Sequence, residues 1–249
     1  MRVKIFMFLF IIILPFLLFS QDANQALNQA DDLFEQMSDM ETARRALGLY
    51  RTALNQAENK YEPYWKIARL LYYIGEHTEN KKEKKNIFSQ AVYYAEKAIE
   101  LSPEKPDGYY WKGVNNGKYG ESRGVLKSLF LVKPIKSDMN KVIELNPAYE
   151  DGGAYRVLGR VYFKLPGFAG GSNEESLKLL KKSIEFGPDD ANTRLFLGET
   201  LLAMDETEKA REELEFVLSL EDDPLWKSDV ASAKKQAKEL LQDKKFRKD

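Results

Sequence analysis

The sequence contains no cysteine and only one histidine, His77, and each shortage excludes a kind of site. Without thiols the chain can form no disulfide and can carry no lipid on cysteine, so its core alone must stabilise an exported form. A zinc site needs three or four ligands, which argues against a metal enzyme built on His77. Residues 113–120, GVNNGKYG, miss the spacing of a phosphate-binding loop, because Gly113 and Gly117 enclose three residues instead of four. We therefore expect neither metal nor cofactor.

An excess of positive charge is also lacking. The chain has 38 Lys and Arg against 39 Asp and Glu, a net charge of −1, and loss of the two cations in the first twenty residues would lower it to −3. Nucleic-acid-binding domains are normally basic, so the balance argues against such a partner.

The first twenty residues predict a secretory signal peptide. Arg2 and Lys4 precede an apolar run over 5–19, and Ser20 supplies the small residue at which cleavage is expected. The run is shorter than the roughly 20 apolar residues of a spanning helix. Leu18, three residues before the cut, is larger than the preferred residue, so an uncleaved membrane anchor stays open as the alternative. Residues 21–249 are then expected to form a single domain.

Strand signals are absent, and a repeated helical spacing takes their place. Ala91, Ala98 and Pro103 lie seven and then five residues apart. The same spacing recurs twice in full, at Ile135, Val142 and Pro147 and at Ser176, Ser183 and Pro188. Small residues on one helix face allow close packing, and the proline ends the helix because it lacks an N–H group. Each segment predicts the second helix of a hairpin.

The segments before these helices carry aromatic residues and a glycine. Gly113, Gly159 and Gly198 each follow a large residue by four positions, which is about one helical turn. We expect each glycine to make room for the second helix of its own hairpin.

Together the two helix types resemble the tetratricopeptide repeat, whose period is about 34 residues. The resulting fold class is all-α, a tetratricopeptide-like α-solenoid of about five hairpins closed by a C-terminal amphipathic helix over roughly Leu225–Lys244. The hairpins are expected over about 22–58, 61–102, 106–146, 150–187 and 190–220. Only the last keeps the ordinary period, and extra residues in the second, third and fourth hairpins predict loops inside them.

First helices line the concave surface of such arrays, and their polar and aromatic side chains form a candidate binding face. Arg156 and Arg160 lie one turn apart and could grip a carboxylate. The competing interpretation pairs them with nearby acids such as Glu150 and Asp151. The full candidate set is Lys66, Tyr73, Tyr110, Arg156 and Arg160.

Residues 162–172, YFKLPGFAGGS, form the least ordinary stretch, in which three glycines follow a helix-ending proline. Ser172 or Asn173 could cap the next helix. A glycine-rich turn between two helices is the simpler interpretation.

Residues 105–220 resemble the T-component family of TRAP transporters, on the stretches GESRGVLKSLFLVKPIKSDMNKVIELNP, GGAYRVLGRVYFKLPGFAGGSNEESLKLLKKSIEFGP and NTRLFLGETLLAMDETEKAREELEFVL. The resemblance implies a helical envelope protein that associates with the solute-binding subunit of an organic-acid transporter and oligomerises. It marks a signature loop at Leu165, Pro166, Gly167, Gly170, Gly171 and Ser172. Family members are often lipid-anchored, which a chain without cysteine cannot match.

A second, looser resemblance is to the regulator of microtubule dynamics proteins. It rests on the patterns SLF…K…NKVIELNP and YRVLGRVYF and on the hydrophobic N-terminal segment.

The leading hypothesis is a non-enzymatic, exported and periplasmic scaffold that binds a protein, such as a solute-binding subunit. Two alternatives stay open. The concave face could carry a small organic acid or apolar ligand, or the chain could be a generic tetratricopeptide-repeat adaptor.

Overall fold

A computed structural model describes residues 22–37, 39–221 and 227–247, and within these ranges every regular element is helical. The chain forms two compact units, one up to Pro103 and one from Glu104 onward. The predicted signal peptide and its alternative as an anchor lie outside the described residues. No helix among the described residues combines the length and the apolar character needed to cross a membrane.

The first unit contains two hairpins, made of α1 (22–35), α2 (Met40–Gln56), α3 (Tyr61–Glu76) and α4 (Lys81–Leu101). Asp39 caps α2 by accepting a hydrogen bond of 2.7 Å from the Thr42 amide. Asn80 caps α4 by accepting from the amides of Lys82 and Glu83. The lysine-rich run that follows Asn80 is therefore the first turn of a long helix.

The second unit contains the other three hairpins and the C-terminal helix. Its α-helices are α5 (Pro106–Arg123), α6 (Val132–Leu145), α7 (Tyr149–Lys164), α8 (Asn173–Ile184), α9 (Ala191–Ala203), α10 (Thr207–Ser219) and α11 (Lys227–Leu240). Short 3-10 helices cover Val125–Leu131, Gly167–Ala169 and Lys244–Arg247. The first helices α5, α7 and α9 contact one another in sequence, and each packs against its own second helix.

The predicted role of the repeat glycines is confirmed. A Cβ atom on Gly159 would lie 2.8 Å from Leu180 Cγ, and one on Gly198 would lie 2.8 Å from a methyl carbon of Leu214. Gly113 meets Met139 in the same way, and Gly75 meets Phe88. In these four hairpins the second helix occupies the space that a side chain on the glycine would need.

The expectation of loops inside the hairpins is correct for only one of three cases. The extra residues of the second hairpin lengthen α4 instead of forming a loop. Those of the third extend α5 to Arg123 and then form the 3-10 segment Val125–Leu131. Charged and polar residues such as those around Lys81 are compatible with an exposed helix face, which is why composition alone did not separate helix from loop.

The start of α7 is a left-handed turn. Glu150, Asp151 and Gly152 have φ values of 49°, 54° and 71° in succession, so right-handed helix begins at Gly153. Non-glycine residues rarely adopt this conformation. The Ser183 hydroxyl of α8 donates a hydrogen bond of 3.1 Å to the Gly152 carbonyl and helps to hold the turn.

The predicted C-terminal helix is present as α11, and it ends at Leu240 instead of Lys244 because residues 241–243 form a turn. Val230, Ala233 and Ala237 of α11 are buried against the α9–α10 hairpin. Phe246 adds to the same core, and the Arg211 guanidinium lies 5.0 Å from the centroid of the Phe246 ring. The last helix thus covers the open end of the second unit's core.

Candidate functional site

The predicted arginine pair lies on α7, and Arg156 joins three successive first helices. It donates a hydrogen bond of 2.9 Å to the Tyr110 hydroxyl of α5, and it lies 3.2 Å from the carboxylate of Asp190. Asp190 also caps α9 by accepting from the Thr193 amide at 2.6 Å. A helix N-terminus favours such a carboxylate, and the carboxylate in turn favours the guanidinium.

Tyr110 lies at the bottom of this contact. Its side chain is 3% exposed and its ring packs on the backbone of α7, where a Cβ on Gly153 would come within 2.6 Å of the hydroxyl. Burial raises the pKa of Tyr110 to about 12, because the phenolate would be poorly solvated there. Tyr149 packs edge-on against the same ring, 5.3 Å away.

Arg160, one turn further along α7, forms an ion pair with Glu199 of α9. Its guanidinium also lies over the Phe196 ring, 4.1 Å from the centroid. Lys164 approaches the other Glu199 oxygen at 4.0 Å. Burial and the neighbouring Arg160 charge both lower the pKa of Lys164.

The structure therefore brings Tyr110, Arg156 and Arg160 together on neighbouring first helices, as the spacing predicts. Both arginines have carboxylate partners, Asp190 and Glu199, which belong to the next hairpin and which the sequence did not single out. A ligand carboxylate at this face would have to compete with these ion pairs. The assignment of the face as a binding surface stays a prediction.

The other two candidates of the face, Lys66 and Tyr73, belong to the first unit and are held by neighbours. Lys66 forms an ion pair of 2.6 Å with Asp31 of α1, which also accepts a 2.7 Å hydrogen bond from Tyr50. Tyr73 is 6% exposed and its ring stacks on His77 with centroids 4.1 Å apart. Tyr73 thus lies inside the unit, and His77 is exposed at the end of α3.

The signature loop, residues 165–172, is a compact turn closed by backbone hydrogen bonds. The Gly171 amide donates to the Pro166 carbonyl and the Ser172 amide to the Tyr162 carbonyl, each at 3.1 Å. A Cβ on Gly171 would lie 1.8 Å from the Leu165 carbonyl oxygen, so no other residue fits without moving the backbone. Ser172 caps α8 by accepting from the Glu175 amide, which confirms one of the two expected caps.

The tip of the signature loop faces an open groove that the sequence analysis did not identify. We call it the basic groove. It has a volume of about 630 Å³ and is lined by Leu129, Val132, Lys133, Lys136, Ser137 and Ala169. Its chain neighbours include three of the most exposed large apolar side chains, Leu126 (68%), Phe130 (60%) and Phe168 (82%).

The walls of the basic groove are fixed by local bonds. Gly124 ends α5 with a φ of 88°, and the Ser128 hydroxyl approaches the Gly120 and Gly124 carbonyls at 2.9 and 3.0 Å. Lys136 also lines the groove, and its ammonium lies 3.6 Å from the centroid of the Tyr162 ring. A usable signal was present in the sequence, since GVLKSLFLVKP holds more large apolar residues than one helix face can bury.

The described residues contain no group of three or more His, Asp or Glu side chains placed to hold a metal ion. What the site offers is a half-buried, internally paired cationic face and an open apolar groove with lysines at its edge.

The hairpin geometry defines the class, a helical-repeat protein of the tetratricopeptide type, which confirms the predicted fold. A tetratricopeptide-repeat protein from Thermus thermophilus matches 85% of this chain and 98% of its own length, with a TM-score of 0.62 at 17% identity. Yeast Tom70 matches 92% of this chain and 44% of its own length, with a TM-score of 0.55 at 16% identity. At these identities the likeness shows the fold alone.

The family is shown by sequence. The family described as "Regulator of microtubule dynamics protein 1-3" matches residues 26–245, and the chain belongs to that family. Regulator of microtubule dynamics protein 1 from Bos taurus is 24% identical over 202 residues, 74% of this chain. The chain spans about three fifths or less of the length of the curated relatives it matches. The looser of the two expected resemblances is thus confirmed, and the T-component resemblance gains no support from the match.

Proposed function

We propose that the protein is a non-enzymatic binding scaffold whose partners are other proteins. The observation that carries the proposal is the exposure of two large aromatic side chains, Phe130 and Phe168, each next in the chain to a residue that lines the basic groove. Soluble proteins seldom expose large apolar side chains together unless they meet a partner there. A tetratricopeptide-type fold, which presents rigid helical surfaces, supports the same function.

Capture of partners by the full chain, cross-linked in cells and identified by mass spectrometry, tests the proposal. We expect a specific protein partner whose yield falls when Phe130 and Phe168 are both replaced by serine. The matched control is Leu101→Ser, which removes a 52% exposed apolar side chain from α4 of the first unit. Absence of any specific protein would refute the scaffold function, and equal loss with the control would refute the assignment of Phe130 and Phe168 to the contact.

Family membership favours microtubules as one class of partner, since the names of the relatives refer to microtubule dynamics. This second candidate predicts that the full chain sediments with polymerised tubulin and remains in the supernatant without it. An accessory role in organic-acid uptake instead requires a solute-binding subunit among the captured partners, so the identity of the partner separates the two.

Export is part of the proposal and rests on the pattern of residues 1–20 alone. Cell fractionation and N-terminal sequencing test it. Cleavage after Ser20 gives a mature chain that begins at Gln21 in the exported fraction, whereas an intact N-terminus in the membrane fraction supports the anchor.

A further inference from the structure

We propose that the basic groove binds an amphipathic helical segment of a partner protein whose polar face is acidic. The inference rests on the proposed function and adds to it the place of contact and the chemistry of the partner. It stands on three features of the second unit: a run of cations without acids, an apolar floor, and a shape that admits side chains.

The charge around the groove is one-sided. Residues 122–137 include Arg123, Lys127, Lys133 and Lys136 and contain no Asp or Glu. Among the described residues none of these four cations forms an ion pair. Arg123 donates to the Tyr119 hydroxyl at 3.1 Å, and Lys136 lies over the Tyr162 ring.

Some lysines elsewhere in the fold are compensated. Lys141 of α6 pairs with Glu144 at 2.7 Å, and Lys97 of α4 pairs with Glu100 at 2.6 Å, each one turn away on its own helix. The cations of 122–137 have no such acid within reach along the chain. An acidic partner would supply the missing charges and gain attraction without displacing an internal ion pair.

The floor of the groove is apolar. Leu129, Val132 and Ala169 line it, and the exposed side chains of Phe130 and Phe168 are chain neighbours of two of them. A helix that places leucine-like residues into this floor leaves its flanks next to Lys133 and Lys136. Helix-in-groove binding of this kind combines apolar anchors with charged flanks.

The form of the groove can accept a peptide. The groove is open and shallow, and its volume of about 630 Å³ leaves room for the side chains of a docked helix. The walls are also pre-formed, because Ser128 fixes the 3-10 segment and the backbone bonds of Gly171 and Ser172 fix the loop. Pre-formed walls lower the entropic cost of binding.

The test is fluorescence anisotropy of the full chain with a labelled synthetic helix that has a leucine face and a glutamate face. A second peptide keeps the leucine face and carries lysine in place of glutamate. We expect the acidic peptide to bind at least tenfold more tightly than the basic one, and its affinity to fall at least tenfold in Lys133→Glu/Lys136→Glu. The matched control Lys178→Glu/Lys181→Glu on α8, where the Lys178 side chain is 75% exposed, should leave binding unchanged.

Circular dichroism verifies that the charge-reversal variant is folded. If it is not, Lys127→Glu/Lys133→Glu alters two exposed positions instead and is expected to give the same loss. Phe168→Ser should weaken binding of the acidic peptide without changing the preference of the protein for the acidic peptide over the basic one.

Equal affinity for the two peptides, or equal loss in the α8 control, overturns the inference. So does binding to vesicles of phosphatidylserine that needs Lys133 and Lys136 while the acidic peptide fails to bind. If a partner captured from cells is retained by Lys133→Glu/Lys136→Glu, the scaffold function stands and the groove is not its site. If no protein partner is captured, the scaffold function itself fails, whatever the peptide does.

Discussion

The Arg156 guanidinium and the Tyr110 hydroxyl form a hydrogen bond of 2.9 Å between α7 and α5. The tyrosine is almost fully buried and the arginine side chain is 15% exposed, so the bond satisfies a polar group of each residue in the interior. Arg156 and Tyr110, which the sequence predicts as part of a ligand-binding face, therefore also join consecutive repeats.

Replacement of Tyr110 by phenylalanine should destabilise the second unit by about 1–2 kcal/mol, because it removes a hydrogen bond to a charged group. Urea unfolding followed by circular dichroism measures the loss. The matched control is Tyr119→Phe, which removes a similar bond from Arg123 at an exposed position and should cost less than about 0.5 kcal/mol. Equal effects would show that burial of the first pair does not matter.

Stability should fall at high pH. The pKa of Tyr110 is raised from 10.0 to about 12 in the folded state, and burial also raises the pKa of Tyr50 and of Tyr149. Above pH 10 the unfolded chain loses the Tyr110 proton while the folded chain keeps it, so stability present below pH 10 is lost as the pH rises towards 12.

Each pKa unit corresponds to about 1.4 kcal/mol, which sets about 3 kcal/mol as the largest contribution of Tyr110. Between pH 9 and 11.5, the free energy of unfolding should decline less steeply in Tyr110→Phe than in the parent chain. Identical slopes would contradict the burial argument, since the substitution removes the Tyr110 phenol whose pKa is raised by burial.

The ion pair of Arg160 and Glu199 provides a third test. Glu199→Gln leaves Arg160 beside Lys164 without its carboxylate in a half-buried site, and we expect a loss of about 2 kcal/mol. Glu206→Gln breaks the exposed pair with Lys209 and should cost less than about 1 kcal/mol. Thermal unfolding of both variants gives the comparison, and similar melting temperatures would argue against an internal role for Glu199.

The hairpins could be predicted from sequence because their signals are local. Small residues seven apart, a proline five later and a glycine in the first helix are all read within one repeat. The C-terminal helix followed from its apolar spacing for the same reason.

The partners of the arginines could not be predicted in this way. Arg160 and Glu199 are 39 residues apart, and their contact depends on which turn of α9 lies against α7. The basic groove has a similar origin, because Val132 and Ala169 meet only when the signature loop folds back towards α6. The local sequence pattern predicts each wall of that groove but not the distance between the walls.

The signature loop gives a matched pair of substitutions. Gly171→Ala would place a carbon 1.8 Å from the Leu165 carbonyl oxygen, which is backbone and cannot rotate away, so we expect a loss of about 2–4 kcal/mol. Gly167→Ala meets no atom within 4 Å and should be close to neutral. If urea unfolding shows no difference between the two, the closed loop is not the native conformation.

The repeat glycines in the helices allow a similar comparison of glycine-to-alanine substitutions. Gly159→Ala gains up to about 1 kcal/mol of helix propensity, but its Cβ would lie 2.8 Å from Leu180 Cγ and 3.3 Å from the Ser176 carbonyl oxygen. Leu180 is fully buried, so α7 and α8 must separate and the net result should be a loss of about 1–2 kcal/mol.

Gly117→Ala, within α5 and with no atom inside 4 Å of the new carbon, keeps the propensity gain without the collision and should stabilise the unit by about 0.5–1 kcal/mol. Opposite signs for two glycine-to-alanine changes in first helices of one unit can arise only from what faces each glycine. Stabilisation by both substitutions would mean that the close approach of α7 and α8, and with it the hairpin packing shared by the repeats, is not present in solution.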